Sequence, residues 1–207
     1  MTRELHKLRE IQLDFLKEVG NIGAGHAATS LSKMIKKPIE MKVPQVKILP
    51  FREVEEFLGG SEKIMVCIFF RVEGDAPGNL LFTLTIDSAK KLLKEMLGPM
   101  ANQQDFFSEL ETSALNELGN ILAGSYLSSL ADFTNLKLYP TVPAITVDMV
   151  GAILSFGLLQ VSQISDFAIV INTTFFEEQE LVEGHFFLIP DPESFNIMFS
   201  ALGVPWE

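Results

Sequence analysis

Apolar residues recur at intervals of three and four from the start of the chain, at Leu8, Ile11, Phe15, Val19 and Ile22. Residues so spaced line one face of a helix, and the pattern predicts a long amphipathic helix over 6–36. Past it, Val43-Pro44 lies in a strand-like segment whose proline, lacking an N–H, suits a sheet edge or a bulge. A short helix at about 51–58 follows, then β-rich segments at 63–73 and 79–86 and a closing helix at 87–97. The same order returns later in the chain: a long helix over 105–134, a strand through Val142-Pro143, a short helix at about 148–157, β-rich segments at 167–176 and 184–189, and a helix at 191–202.

That return holds residue by residue. Laying Glu18 on Glu117 brings Leu16, Gly20, Asn21, Ile22, Ala24, Gly25, Ser30, Leu31, Val43 and Pro44 onto Leu115, Gly119, Asn120, Ile121, Ala123, Gly124, Ser129, Leu130, Val142 and Pro143 without a gap. Asp87 to Gly98 also resembles Asp191 to Gly203, with one inserted residue. The chain reads as a tandem duplication with repeats of about 6–98 and 105–203. The expected fold class is α+β, a mixed α/β arrangement: two α-β-α-β-β-α units share sheet structure about a pseudo-two-fold axis, as a single domain over 1–207. The long first helices are expected outermost, their inner stripes on the sheet and their outer stripes in water.

Composition narrows the function classes. Of 207 residues, 47% are apolar, which suits a buried core rather than a disordered chain. A formal net charge of −11 repels phosphate backbones and anionic headgroups, so a protein partner or a small ligand is favoured over nucleic acid or a membrane surface. Cys67 is the single cysteine, which excludes an internal disulfide and a cysteine-based zinc cluster. Within Ile64-Met-Val-Cys-Ile-Phe-Phe70 it reads as a buried structural thiol. His6, His26 and His185 are scattered, with no pair at metal-ligand spacing. The first ten residues are charged and lack the apolar stretch of a secretory signal. The longest apolar stretch, Met149 to Leu159, is broken by Gly151, Ser155 and Gly157 and falls short of the ~20 residues that span a bilayer. A cytoplasmic protein without membrane insertion is expected.

The candidate chemistry lies on the outer stripes of the two long helices. At ~100° per residue, Asp14, Glu18, Asn21 and Gly25 fall within roughly a 60° arc of one face, as do Ser113, Glu117, Asn120 and Gly124. A Glu and an Asn three apart on a helix are most often a solvated face and nothing more. Two features argue otherwise here. Asn and Gly are poor helix formers, and each glycine of Gly20-Asn21-Ile22-Gly23-Ala24-Gly25 costs about 1 kcal/mol relative to alanine; a surface that something approaches closely gives a reason to accept that cost. The Glu-Gly-Asn also stands in both halves while neighbours such as Lys17 and Asn116 have diverged. Core packing accounts for the repeated Leu and Ile, and not for the repeated Glu and Asn. A competing reading, Gly23-Ala-Gly25-His-Ala-Ala28 as a dinucleotide-binding loop, fails on context. That loop needs a strand before it and a free helix N-terminus after it; here helix precedes it, and the second copy has Leu122 at the first glycine.

Asp14-x3-Glu18-x2-Asn21-x22-Pro44 and Ser113-x3-Glu117-x2-Asn120-x22-Pro143 both resemble the Asp/Ser-x3-Glu-x2-Asn-x22-Pro signature of the CheC, CheX and FliY phosphatase family. The resemblance covers essentially the whole chain, and a double match at this spacing is far more specific than either Glu–Asn pair alone. Two signatures point to the CheC or FliY type rather than the single-site CheX type, and the absence of an added flagellar-switch domain from this sequence points to the CheC type.

The resemblance implies hydrolysis of the aspartyl phosphate on the chemotaxis response regulator CheY. Asn21 and Asn120 would orient the attacking water, while Glu18 and Glu117 would pair with the regulator's lysine and dock it. Asp14 and Ser113 would have a supporting role, and Pro44 and Pro143 would shape the strand beneath each helix. It implies no cofactor on this chain, with Mg²⁺ held by the regulator. It also implies a complex with the deamidase CheD, and the duplication suggests a monomer in the absence of partners. The alternative is a non-enzymatic binding or scaffold module of the chemotaxis or flagellar switch system, which would have no need of the Glu–Asn pairs.

Overall fold

A computed structural model describes residues 2–101, 107–160, 167–177 and 180–203. The first half forms α1 (Thr2–Ile35), β1 (Glu40–Pro50), a 3₁₀ turn at Phe51–Glu53 leading into α2 (Val54–Phe57), β2 (Ile64–Gly74), β3 (Gly78–Thr85) and α3 (Ile86–Leu97). The second forms α4 (Glu109–Thr134), β4 (Leu138–Pro140), β5 (Ala144–Met149), α5 (Val150–Gln160), β6 (Phe167–Glu177), β7 (Glu180–Pro190) and α6 (Pro192–Ala201). Residues 105 and 106, where the second long helix was expected to begin, lie outside the described residues. α4 starts at a capping box. The Ser108 side chain accepts from the Glu111 N–H, and Glu111 Oε2 accepts from the Ser108 N–H at 2.8 Å. The single strand expected through Val142 and Pro143 is instead two, β4 and β5, with Thr141–Pro143 between them.

The strands make one antiparallel sheet in the order β1-β6-β7-β3-β2-β4, with β5 also paired to β2. The hairpins β2–β3 and β6–β7 meet at its centre, where β3 pairs with β7. The first strand of each half then crosses over: β1 pairs with β6 of the second half, and β4 and β5 pair with β2 of the first. The shared sheet that the duplication implied is therefore interleaved, each half's hairpin flanked by a strand of the other.

Alternation along the strands sends side chains to two cores. Val66, Ile68, Phe70 and Val72 of β2 face α1, α3, α4 and α6, while Met65 and Cys67 face α2 and α5. With both faces covered, the strands read as near-continuous apolar runs. Burial pushes the Cys67 thiol up to about 12, the behaviour of an inert structural cysteine. Among the described residues no helix is long and apolar enough to cross a membrane.

α1 and α4 pack on the sheet and against each other. Phe15 meets Phe133 edge-to-face at 5.6 Å, and a Cβ on Gly23 would lie 3.1 Å from the Tyr126 Cα. As the position on α1 rises from 15 to 23, the partner on α4 falls from 133 to 126, so the helices are antiparallel. The glycines thus have a reason that the sequence argument did not supply. Gly20 and Gly119 are buried against the sheet rather than open to a visitor: a Cβ on Gly119 would lie 2.8 Å from Ile68 Cγ2 and 3.1 Å from Phe70 Cζ. Gly25 and Gly124 alone match the original reading, with nothing within 4 Å. Two substitutions on one helix should therefore differ in sign. Gly119→Ala is expected to destabilise by about 1–3 kcal/mol through overpacking, and Gly124→Ala to stabilise by up to about 1 kcal/mol through helix propensity. Urea midpoints measure both.

Candidate functional site

Both predicted stripes are where the helical spacing put them. Asp14, Glu18, Ser113 and Glu117 are exposed, Asn21 is half-buried and Asn120 is exposed. Among the described residues neither Glu18 nor Glu117 is in an ion pair, so each carboxylate is available to a cation brought by a partner. Because the helices are antiparallel and cross near Gly23 and Tyr126, the two Glu–Asn pairs lie on opposite sides of the crossing. The structure does not bring them together into one centre.

A cleft of about 440 Å³ is lined by Phe57, Lys63, Thr83, Glu183 and His185 among others, and none of the candidate residues contributes to it. Small ligands favour such concave, enclosed places; a pair of side chains on the outer face of a helix suits a partner large enough to bring the rest of the site with it.

Alike in position, the two Asn side chains differ in what they hold. Asn21 Oδ1 accepts from the Val43 N–H at 2.9 Å, and its Nδ2 donates to the carbonyls of Lys17 at 3.0 Å and Val43 at 3.4 Å. The cause lies in β1. Its pairing with β6 slips between Lys42 and Gln45, so that Val43 and Pro44 together oppose Thr173, a bulge of one residue. The bulge takes the Val43 backbone off the ladder while its side chain stays buried at 1% exposure, and a buried backbone N–H needs a partner. Asn21 supplies it. Pro44, predicted to shape this strand, sits at the bulge, where its lack of an N–H leaves nothing unpaired.

The second half has the same bulge with another solution. Val72 pairs with Pro140 and Phe69 with Ala144, so Thr141, Val142 and Pro143 oppose only Phe70 and Arg71. Here Thr141 closes the gap: its N–H donates to the Arg71 carbonyl at 2.8 Å, and its Oγ1 accepts from the Arg71 N–H at 3.0 Å. Val142 is left 88% exposed, its carbonyl accepting from Thr141 Oγ1 at 3.5 Å. Asn120 makes no hydrogen bond to the protein among the described residues. At the position of Thr141 the first half has Lys42, whose ammonium cannot accept. Packing does therefore account for the Asn of the first copy, contrary to the expectation, because Asn21 has structural work there.

The family model described as "CheC-like family" matches residues 11–48 and 110–147, two segments that each run from a Glu–Asn stripe to the Val-Pro bulge. The chain is 44% identical to a Bacillus subtilis (strain 168) protein named CheY-P phosphatase CheC, over 95% of this chain and 96% of that one. Among solved structures, Thermotoga maritima FliY superposes with a TM-score of 0.73 at 18% identity, covering 92% of this chain and 94% of that one. The FliM middle domain from H. pylori superposes at 0.65 and 12% identity, covering 95% and 98%; at such identities the likeness concerns the fold. By the matched segments and by a relative this similar over nearly its whole length, the chain belongs to the CheC-like family.

Proposed function

We propose that this chain removes the phosphoryl group from the aspartyl phosphate of a CheY-type response regulator. The observation that carries the reading is the repeated, outward-facing Glu–Asn pair, in a chain 44% identical along its length to a protein named for that activity. An aspartyl phosphate is an activated acyl phosphate, so the helper needs only to place water in line with the phosphorus. A carboxamide donates and accepts at once and does not titrate near neutral pH, which fits Asn21 and Asn120 to hold that water. Glu18 and Glu117, one helical turn away, would each accept a charge-assisted hydrogen bond from a lysine of the regulator and set its orientation. Asp14 and Ser113, a turn earlier, would support the docking. The Mg²⁺ of the reaction would belong to the regulator's own carboxylates, and this chain would bring no cofactor. A regulatory complex with the deamidase CheD, a cytoplasmic location and a monomeric state in the absence of partners complete the proposal.

The test is the decay of phosphorylated CheY-type regulator in the presence of Mg²⁺, with and without the chain. Loss of phosphate is expected to accelerate in proportion to the chain added. No acceleration of a regulator shown to be otherwise active would move the function to binding alone.

A further inference from the structure

We infer that the two Glu–Asn pairs are unequal in the free protein: Asn21 is committed to bracing the β1 bulge, and the Asn120 site carries most of the turnover. The inference rests on the proposed phosphatase reading and assigns it a direction. A carboxamide has two N–H donors and one oxygen with two lone pairs. In Asn21, Nδ2 donates to Lys17 and Val43 and Oδ1 accepts from Val43, which leaves one lone pair and no donor. A water held by that group could give a hydrogen bond but receive none. Asn120 is exposed and, among the described residues, has both donors and its oxygen unengaged.

Freeing Asn21 would strand the Val43 N–H beneath the helix, beside a side chain buried in the main core. Each of the three hydrogen bonds given up costs on the order of 1 kcal/mol net, about 3 kcal/mol together, so on the order of one molecule in a hundred has the amide free, and turnover at that pair falls by the same factor. No such cost attends Asn120, because Val142, the counterpart of Val43, is 88% exposed and does not need a protein partner for its N–H. The asymmetry therefore traces to the burial of Val43 and the exposure of Val142, a difference in the strands and not in either Glu–Asn pair.

Asn120→Ala and Asn21→Ala are compared in the regulator decay assay, together with thermal unfolding and hydrogen exchange at the Val43 amide. Asn120→Ala is expected to cut the acceleration by about a hundredfold, to leave Val43 protection unchanged and not to lower the melting temperature. Asn21→Ala is expected to lose the smaller share of activity, to melt about 2–4 °C lower and to expose the Val43 amide to rapid exchange. Equal losses from the two substitutions, or a Val43 amide indifferent to Asn21→Ala, would overturn the inference. A wild-type chain that fails to accelerate decay would instead sink the phosphatase reading, and the melting and exchange data tell the two failures apart.

Discussion

Divided between residues 101 and 107 and expressed apart, the two halves are expected not to fold. Each would keep a two-stranded hairpin, β2–β3 or β6–β7, and lose the strands that flank it. β1 pairs along its length with β6, from Glu40 opposite Phe176 to Pro50 opposite Phe167, and in the isolated first half it has no strand to lie against. In the isolated second half β4 and β5 lose β2 in the same way. An isolated hairpin is marginal in water, and here the hairpins' inner faces are also stripped. Phe82 of β3 stacks on Phe186 of β7 with centroids 4.6 Å apart, and both are fully buried. Exposing such residues costs roughly 1.5–3 kcal/mol each, against a total stability of about 5–15 kcal/mol for an ordinary domain. Circular dichroism and amide chemical-shift dispersion should report both halves as unfolded alone and recovered in an equimolar mixture. One half giving dispersed resonances alone would mean that the crossed strands are not essential to it.

Replacing both asparagines, Asn21→Ala with Asn120→Ala, is expected to return the decay of phosphorylated regulator to its unassisted rate. Each carboxamide is the member of its Glu–Asn pair able both to donate and to accept, and alanine leaves nothing at that position to hold a water in line. Either single change leaves one pair in place, so complete loss belongs to the double variant. The protein itself should stay folded. Alanine is a better helix former than asparagine by up to about 0.7 kcal/mol at each position, while the orphaned Val43 N–H costs about 1–3 kcal/mol. A double variant that is inactive and unfolded would show the asparagines to be structural; one that is folded and fully active would remove water positioning from the mechanism.

Much of this was readable before any coordinates. Apolar spacing gave the two long helices, and the repeat gave a check on each element, so that the short α2 and α5 were placed by agreement between halves. The outer stripes were readable because helical periodicity fixes which residues share a face. What the sequence hid were facts about neighbours distant in the chain. Nothing in Gly119 says that Ile68 and Phe70 press against it, and an exposed reading of its cost was the natural one. Nothing in Asn21 says that a bulge twenty-two residues later needs its amide, since the Val-Pro that marks the bulge is present in both halves. What separates them is the burial of Val43 against the exposure of Val142, which depends on how each bulge packs. Likewise the division of one expected strand into β4 and β5 depends on β2 running past both.

The crossed order of the sheet also has a consequence in time. A chain leaves the ribosome N-terminus first, and domains generally fold as units once their partners exist. α1 and β1 are made early, yet β1 waits for residues 167–177 to arrive, more than half the length of the protein later. Contacts so distant in sequence are slow to form. Until then the buried face of α1, with Leu16, Val19 and Leu31, has no finished sheet to cover, and the nascent first half exposes apolar surface that the finished protein hides.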